Sequence, residues 1–148
     1  MYKVPGTAEV LTLSLPDALP IWRCKFLGFQ VGFGNFNVFH SGDTLWHDQL
    51  IAQVGDGKPD VAMLPINGNK LERRVAGNLN GTEAAALGKA LGAKVVVPCH
   101  YHMFTFNTEE PDEFVGACER LGQRCKVMKC GERLTVQEIG RASCRERV

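Results

Sequence analysis

The residues of this chain best suited to binding a cation or moving a proton stand in "AKVVVPCHYHMFTFN", Ala93 to Asn107. Three valines read as a buried strand, the run stops at Pro98, and Cys99, His100 and His102 follow at once. On an extended backbone, side chains two apart face the same side and neighbours face opposite sides. The spacing therefore predicts that His100 and His102 share a site from which Cys99 points away into packing. A single imidazole beside an apolar strand is most often just hydrogen-bonded; what marks these two is their place at a strand end that opens into a loop. The second candidate is Asp43 in "FHSGDT", a carboxylate behind a glycine where a strand ends. Such a place suits a hard oxygen ligand for a divalent ion. It equally suits an Asx turn, in which the carboxylate bonds its own backbone, and spacing alone favours the turn. His40 and His47 flank Asp43, either behind it or on the surface.

The elements that must position these groups alternate along the chain. "CKFLGFQVGF" and "FNVFHSG" are strand-like and separated by a Gly-Asn turn. "DQLIAQV" is a short helix ending at Gly55, "PDVAMLPI" a buried strand, and "NGNKLERRVAGNLN" a long polar loop. "GTEAAALGKALG" is the clearest helix, with Thr82 as its cap, Glu83 in its first turn and Gly92 at its stop. "AKVVVP" is the next strand, and "EPDEFVGACERLG" a helix with Pro111 early and Gly122 late. "RCKVMKC" and "ERLTV" finish as two strands. Such alternation predicts an α/β layered sheet, in which ligands gather where loops converge at strand ends. "VFHSGDT" and "VVVPCHYH" are the two strongest strand ends, and both finish in potential metal ligands.

With 17 basic and 16 acidic residues, the net charge is +1. Nothing in that balance suggests a nucleic-acid or membrane surface. No apolar run approaches the roughly 20 residues that span a bilayer, so the expectation is a soluble cytoplasmic protein. Of six cysteines, Cys144 lies in the C-terminal tail, and the rest show no CxxC pair. Reduced, mostly buried thiols are expected. The ends differ from the middle: "TLSLPDALPI" and "IGRASCRERV" resemble translated sequencing adapters. On that ground residues 1–22 are expected to be a non-native leader, 23–137 a partial domain and 138–148 an adapter-derived tail.

"FHSGDT", "VAMLPINGN", "GNLNGTEAAALGKALGAK" and "VVVPCHYHMFTFN", in that order, resemble the C-terminal half of the metallo-β-lactamase fold. Within that superfamily they are most similar to the branch containing L-ascorbate-6-phosphate lactonase. The resemblance implies an α/β fold, the C-terminal half of an αββα sandwich, in a metal-dependent hydrolase. Its substrate would be a small molecule, a sugar-acid lactone phosphate or similar, opened by metal-activated water. It implies that Asp43 and His100 are the metal ligands and catalytic residues, with Mn2+ or Zn2+ as cofactor and manganese favoured. Substrate contacts fall to Asn67, Asn69, Asn78, Asn80 and His102, His102 with the alternative of standing behind the ligands. The helix N-terminus near Thr82 is expected to favour an anion. The intact parent could form homo-oligomers. The family's principal ligand motif, HxHxDH, is nowhere in this chain, and catalytic sites commonly use three protein ligands plus an open position. The chain is therefore expected to bind metal weakly and catalyse little.

Two other classes deserve weighing. A structural zinc module would use Cys99, Cys118, Cys125, Cys130 and the histidines, against the absence of any CxxC knuckle. A nucleotide-binding domain would rest on "GFGNFN", which lacks the third glycine and the helix after it. Core packing is expected for Met63, and a loop-cluster role for Phe104 and Phe106, rather than substrate contact shared with Trp46. The "KLERR" run reads as a solvated loop, with Arg73 and Arg74 as weak phosphate candidates.

Overall fold

Where aromatic and β-branched residues alternate, the chain pairs into strands. The computed structural model describes residues 2–4, 8–13, 28–47, 49–74 and 77–136. β1 (Tyr2–Val4), β2 (Ala8–Leu13), β3 (Gly28–Phe33), β4 (Phe36–His40), β5 (Val61–Pro65) and β6 (Val95–Cys99) form one six-stranded sheet in sequence order. β1 to β4 run antiparallel, whereas β4, β5 and β6 are parallel. The parallel part is joined by helices, as parallel strands require: α1 (Gln49–Val54) leads from β4 to β5, and α2 (Gly81–Ala90) from β5 to β6. α3 (Asp112–Leu121) follows β6 and packs on α2. The hairpin turn is at Gly34, where φ is +60°, a left-handed value that glycine adopts without a Cβ clash. "GFGNFN" is thus an antiparallel hairpin with no helix behind it, and the nucleotide-binding alternative falls.

Period-two alternation sorts the strands into two faces. Phe39, Ala62, Leu64, Ile66 and Val96 point to the helices and share one buried cluster with Leu50, Val54, Leu79, Leu87, Phe114 and Cys118. The opposite face carries Val31, Val38, Val61, Met63, Val95 and Val97, of which only Val61 and Val97 are fully buried. Met63 therefore sits half-buried on the second face, outside the helix-facing core.

Three local expectations are corrected. Asn80, not Thr82, caps α2: its side chain accepts from the Glu83 N–H at 2.8 Å, and Glu83 returns a bond to the Asn80 N–H at 2.9 Å. The spacing of this capping box was legible as Asn-x-x-Glu. The closing segments are not strands. "RCKVMKC" makes only a bridge from Cys125 to Val96, and "ERLTV" has no ladder within residues 132–136. Charges fall on both faces of an extended chain here, Arg124 and Lys126 against Lys129 and Glu132 against Arg133, so neither segment has a clean apolar face to bury, and Tyr101 instead anchors the first, its hydroxyl accepting from Met128 N–H at 3.0 Å. Finally, His100 and His102 are not extended: their φ values are +63° and +53°, in the left-handed region.

Asp60 ties the strand starts together. It accepts from the Asn37 N–H at 2.6 Å and pairs with Lys94 at 2.5 Å. Burial pushes its carboxyl up, but the Lys94 and Asn37 bonds outweigh it and hold it below the usual value. A depressed folded-state pKa gives stability that is complete above the unfolded value and is lost as pH falls through the folded one. Asp60→Asn is therefore expected to cost about 1.5–3 kcal/mol at pH 7. The gap to the parent should shrink below about pH 4, where the unfolded-state carboxyl also becomes protonated; urea unfolding at both pH values measures it.

Candidate metal centre

The carboxyl ends of the three parallel strands carry the site. β4 runs into Ser41–Thr44, β5 into Ile66–Asn69 and β6 into His100. Backbone bonds lace these loops together: Ser41 N–H donates to Met63 O, Ile66 N–H to Cys99 O, and Leu79 N–H to Thr44 O, at 3.2, 3.1 and 2.9 Å. Gly42 turns the chain with φ +64° and gives its N–H to His40 Nδ1 at 2.9 Å. The turn delivers Asp43 to His100: Asp43 Oδ1 lies 3.4 Å from His100 Nδ1, with side chains 53% and 32% exposed. The carboxylate is thus open to solvent beside an imidazole from the far end of the sheet.

His40 completes the neighbourhood, with a larger part than its flanking position in the sequence suggested. Burial holds its pKa below the ordinary histidine value, the nearby His100 lowers it further, and Asp43 only partly opposes them. His40 is therefore neutral at pH 7, with Nδ1 as an acceptor and its proton on Nε2.

The asparagines expected to touch substrate are mostly used inside the fold. Asn67 and Asn78 are buried, and Asn78 Nδ2 donates to Asn67 Oδ1 at 3.0 Å. The same Nδ2 lies 3.3 Å from His100 Nδ1. Asn67 Nδ2 passes on to Asn107 Oδ1 at 2.8 Å. Asn80 is the α2 cap, and the Thr82 N–H already donates to Glu113 at 3.1 Å, so the anion subsite expected at this helix start has lost those donors. Asn69 remains exposed. His102 is exposed too and pairs with Glu110, with Nε2 and Oε2 2.7 Å apart. Because its backbone is left-handed like that of His100, the two-apart rule for strands does not apply. Arg73 bonds Asn67 O, Thr108 O and Glu109, which leaves it bound to the fold rather than free for phosphate. Phe104 and Phe106 are exposed, as is Trp46.

Among the described residues, no three of His, Cys, Asp and Glu gather as a metal site. Cys99, Cys118, Cys125 and Cys130 are free thiols. Burial pushes the Cys99 thiol up to about 11, and burial together with Cys125 pushes Cys118 up to about 12. Among the described residues these thiols join no cluster of three ligands, so the structural zinc alternative finds no support in this arrangement. Asp43 and His100, by contrast, converge one carboxylate oxygen and one imidazole nitrogen, a fit to a divalent ion as two members of an incomplete ligand set. Among the described residues no helix is long and apolar enough to cross a membrane.

Comparison with known proteins agrees with this architecture. The family described as "Beta-lactamase superfamily domain" matches residues 11–101. A UPF0173 metal-dependent hydrolase of Rubrobacter xylanophilus is 36% identical over 139 residues, covering 89% of this chain and 54% of that protein. Its counterpart in Pyrobaculum islandicum is 31% identical over 137 residues, covering 84% and 57%. The chain thus spans about half the length of these relatives. Among solved structures, the metallo hydrolase Igni18 of Ignicoccus hospitalis superposes with a TM-score of 0.63 at 28% identity, over 88% of this chain and 52% of that one. The metallo-β-lactamase fold protein YhfI of Bacillus subtilis superposes with a TM-score of 0.59 at 18% identity, over 87% and 49%. With more than half of its residues inside the family match, a mixed α/β sheet and these structural neighbours, the chain belongs to the beta-lactamase superfamily domain family and has the metallo-β-lactamase fold.

Proposed function

We propose that this chain is part of a metal-dependent hydrolase, contributing the late carboxylate and the last imidazole of the metal site. The observation that carries the reading is the 3.4 Å approach of Asp43 to His100, from loops 57 positions apart, at the carboxyl edge of the parallel strands. The relatives named above are metal-dependent hydrolases, which supports the same class. When bound, a divalent ion supplies Lewis acidity toward a carbonyl and a nucleophile from water at neutral pH. Asp43 and His100 would hold it, with manganese or zinc both compatible with mixed oxygen and nitrogen donors. Neutral His40 beside them adds no positive charge to compete with a cation. Asn78 steadies the His100 ring.

The substrate class we infer is the lactone of a phosphorylated sugar acid, such as L-ascorbate 6-phosphate, on the strength of the motif set that resembles that branch. Asn69 and His102, both exposed on loops at this edge, are the remaining candidates to meet it. Two ligands fall short of the three that catalytic sites commonly use, so the chain alone is expected to be nearly inactive. The test is hydrolysis of L-ascorbate 6-phosphate, and of an unphosphorylated lactone, by the chain with Mn2+ or Zn2+. The assay is repeated with a relative's HxHxDH-bearing segment added in trans. Ring opening of the phosphorylated lactone only in the second mixture is the expected result. Turnover by the chain alone would refute the incomplete-site reading, and preference for the unphosphorylated lactone would refute the substrate class.

A further inference from the structure

We propose that the cleft between the β3–β4 hairpin and the loop after α1 binds a neutral planar ligand through its amino group, as in an aromatic carboxamide or an amino-substituted heterocycle. The cleft lies at the amino ends of the parallel strands, the opposite end of the sheet from Asp43 and His100. Its volume is about 320 Å³, at the lower end of the roughly 300–1,000 Å³ of small-ligand sites. Among the described residues that line it none is ionisable: the walls are amides, glycines and the apolar Phe36 and Val54. Such a lining offers no counter-charge to a phosphate, a carboxylate or an ammonium ion. Recognition is left to hydrogen-bond acceptors and apolar contact.

The acceptors come from two amides fixed by one carbonyl. Gln30 Nε2 and Asn37 Nδ2 donate to Gly57 O at 2.6 and 2.8 Å. A carbonyl oxygen only accepts, so each amide turns its nitrogen to Gly57 and its oxygen away from it. The approach needs a glycine, because a Cβ at position 57 would collide with Gln30 Nε2. Gln30 is 4% exposed, on the helix-facing side of β3 beside Phe39, and its Oε1 is buried with no partner. A core side chain whose nitrogen is bonded and whose oxygen is not lacks a donor. An N–H of the ligand supplies it, and the half-buried Asn37 offers a second acceptor. Gly32 stands two residues from Gln30 on the same face of β3, with open space where its Cβ would be. The cleft thus extends over a wall without a side chain, and Phe36 and Val54 meet the ligand's apolar part.

The experiment titrates the 15N-labelled full chain with benzamide, with adenine, with the dimethylamino counterpart of each, and with benzoate, following backbone amides by NMR. Benzamide or adenine is expected to shift the Gly32 and Gly57 signals while those of Asp43 and His100 stay in place, and the tighter of the two names the source of the amino group. Its dimethylamino counterpart, with no N–H to give, should bind at least about tenfold more weakly. Gln30→Leu keeps the bulk of the side chain, removes the unpaired oxygen and leaves Gly57 O its bond from Asn37. It should weaken the amino probe at least about tenfold and leave the dimethylamino probe unchanged. Gly32→Val puts methyl groups into the cleft and should abolish binding of every probe with the circular dichroism unaltered. Should Gln30→Leu fail to fold, Gly32→Val and the methylated pairs still decide. No shift at Gly32 and Gly57 with any probe would mean a cleft filled by water alone and overturns the proposal. Equal binding of an amino probe and its methylated counterpart overturns the role of the acceptors, and tighter binding of benzoate overturns the neutral ligand.

Discussion

Asp43→Ala and His100→Ala are each expected to reduce the affinity of the chain for Mn2+ or Zn2+ by at least about tenfold, the lower bound set by what loss of a mere supporting contact does. The double substitution should cost little more than the worse single one, because ligands to one ion act as a coupled unit. Isothermal titration with each metal measures this, and the starting affinity should itself be weak. Asp43 is open to solvent and His100 half-buried, so neither change removes core packing, and the fold should persist by circular dichroism. Alkylation of the thiols is the control. If blocking cysteines removed metal binding while Asp43→Ala left it intact, the ligand assignment would be wrong.

Phe114→Ala is expected to cost about 3–5 kcal/mol, the usual range for emptying a fully buried aromatic site. Phe114 is 0% exposed and belongs to the cluster that joins α2, α3 and the helix-facing side of the sheet. The two helices cannot close over the gap easily, because they already touch: a Cβ built on Gly81 would stand 2.7 Å from the Phe114 backbone nitrogen. Domains of this kind are stable by roughly 5–15 kcal/mol in all, so the variant should be largely unfolded in mild urea. Phe114→Leu, which keeps most of the volume, should lose much less. Equal losses for the two, read from urea midpoints, would show that α3 contributes little to the core.

From β3 to α3 the order of strands and helices was legible because each carries its own signal: alternating valines and aromatics in the strands, and Pro111, Gly92 and Gly122 as punctuation at the helix ends; β1 and β2 lie in the segment read as a leader and were not anticipated. Where the local signal was ambiguous the outcome went otherwise. "RCKVMKC" has a single β-branched residue, Val127, and meets the sheet only in one bridge opposite Val96, through the backbone of Arg124 and Lys126. Thr82 and Asn80 both suit a cap, and the reciprocal bond from Glu83 decided for Asn80.

The candidate site divides in the same way. Residue types and their places at strand ends made Asp43 and His100 candidates, but spacing alone favoured an Asx turn at Asp43, and it was the ordered resemblance to the metallo-β-lactamase fold that singled the two out as ligands. Which groups surround them depended on three loops meeting at the edge of parallel strands. That meeting made Asn67 and Asn78 buried supports, turned His102 toward Glu110, and brought His40 to the pair. Contacts between residues tens of positions apart are set by how the sheet brings its strand ends side by side, and no local pattern encodes that distance.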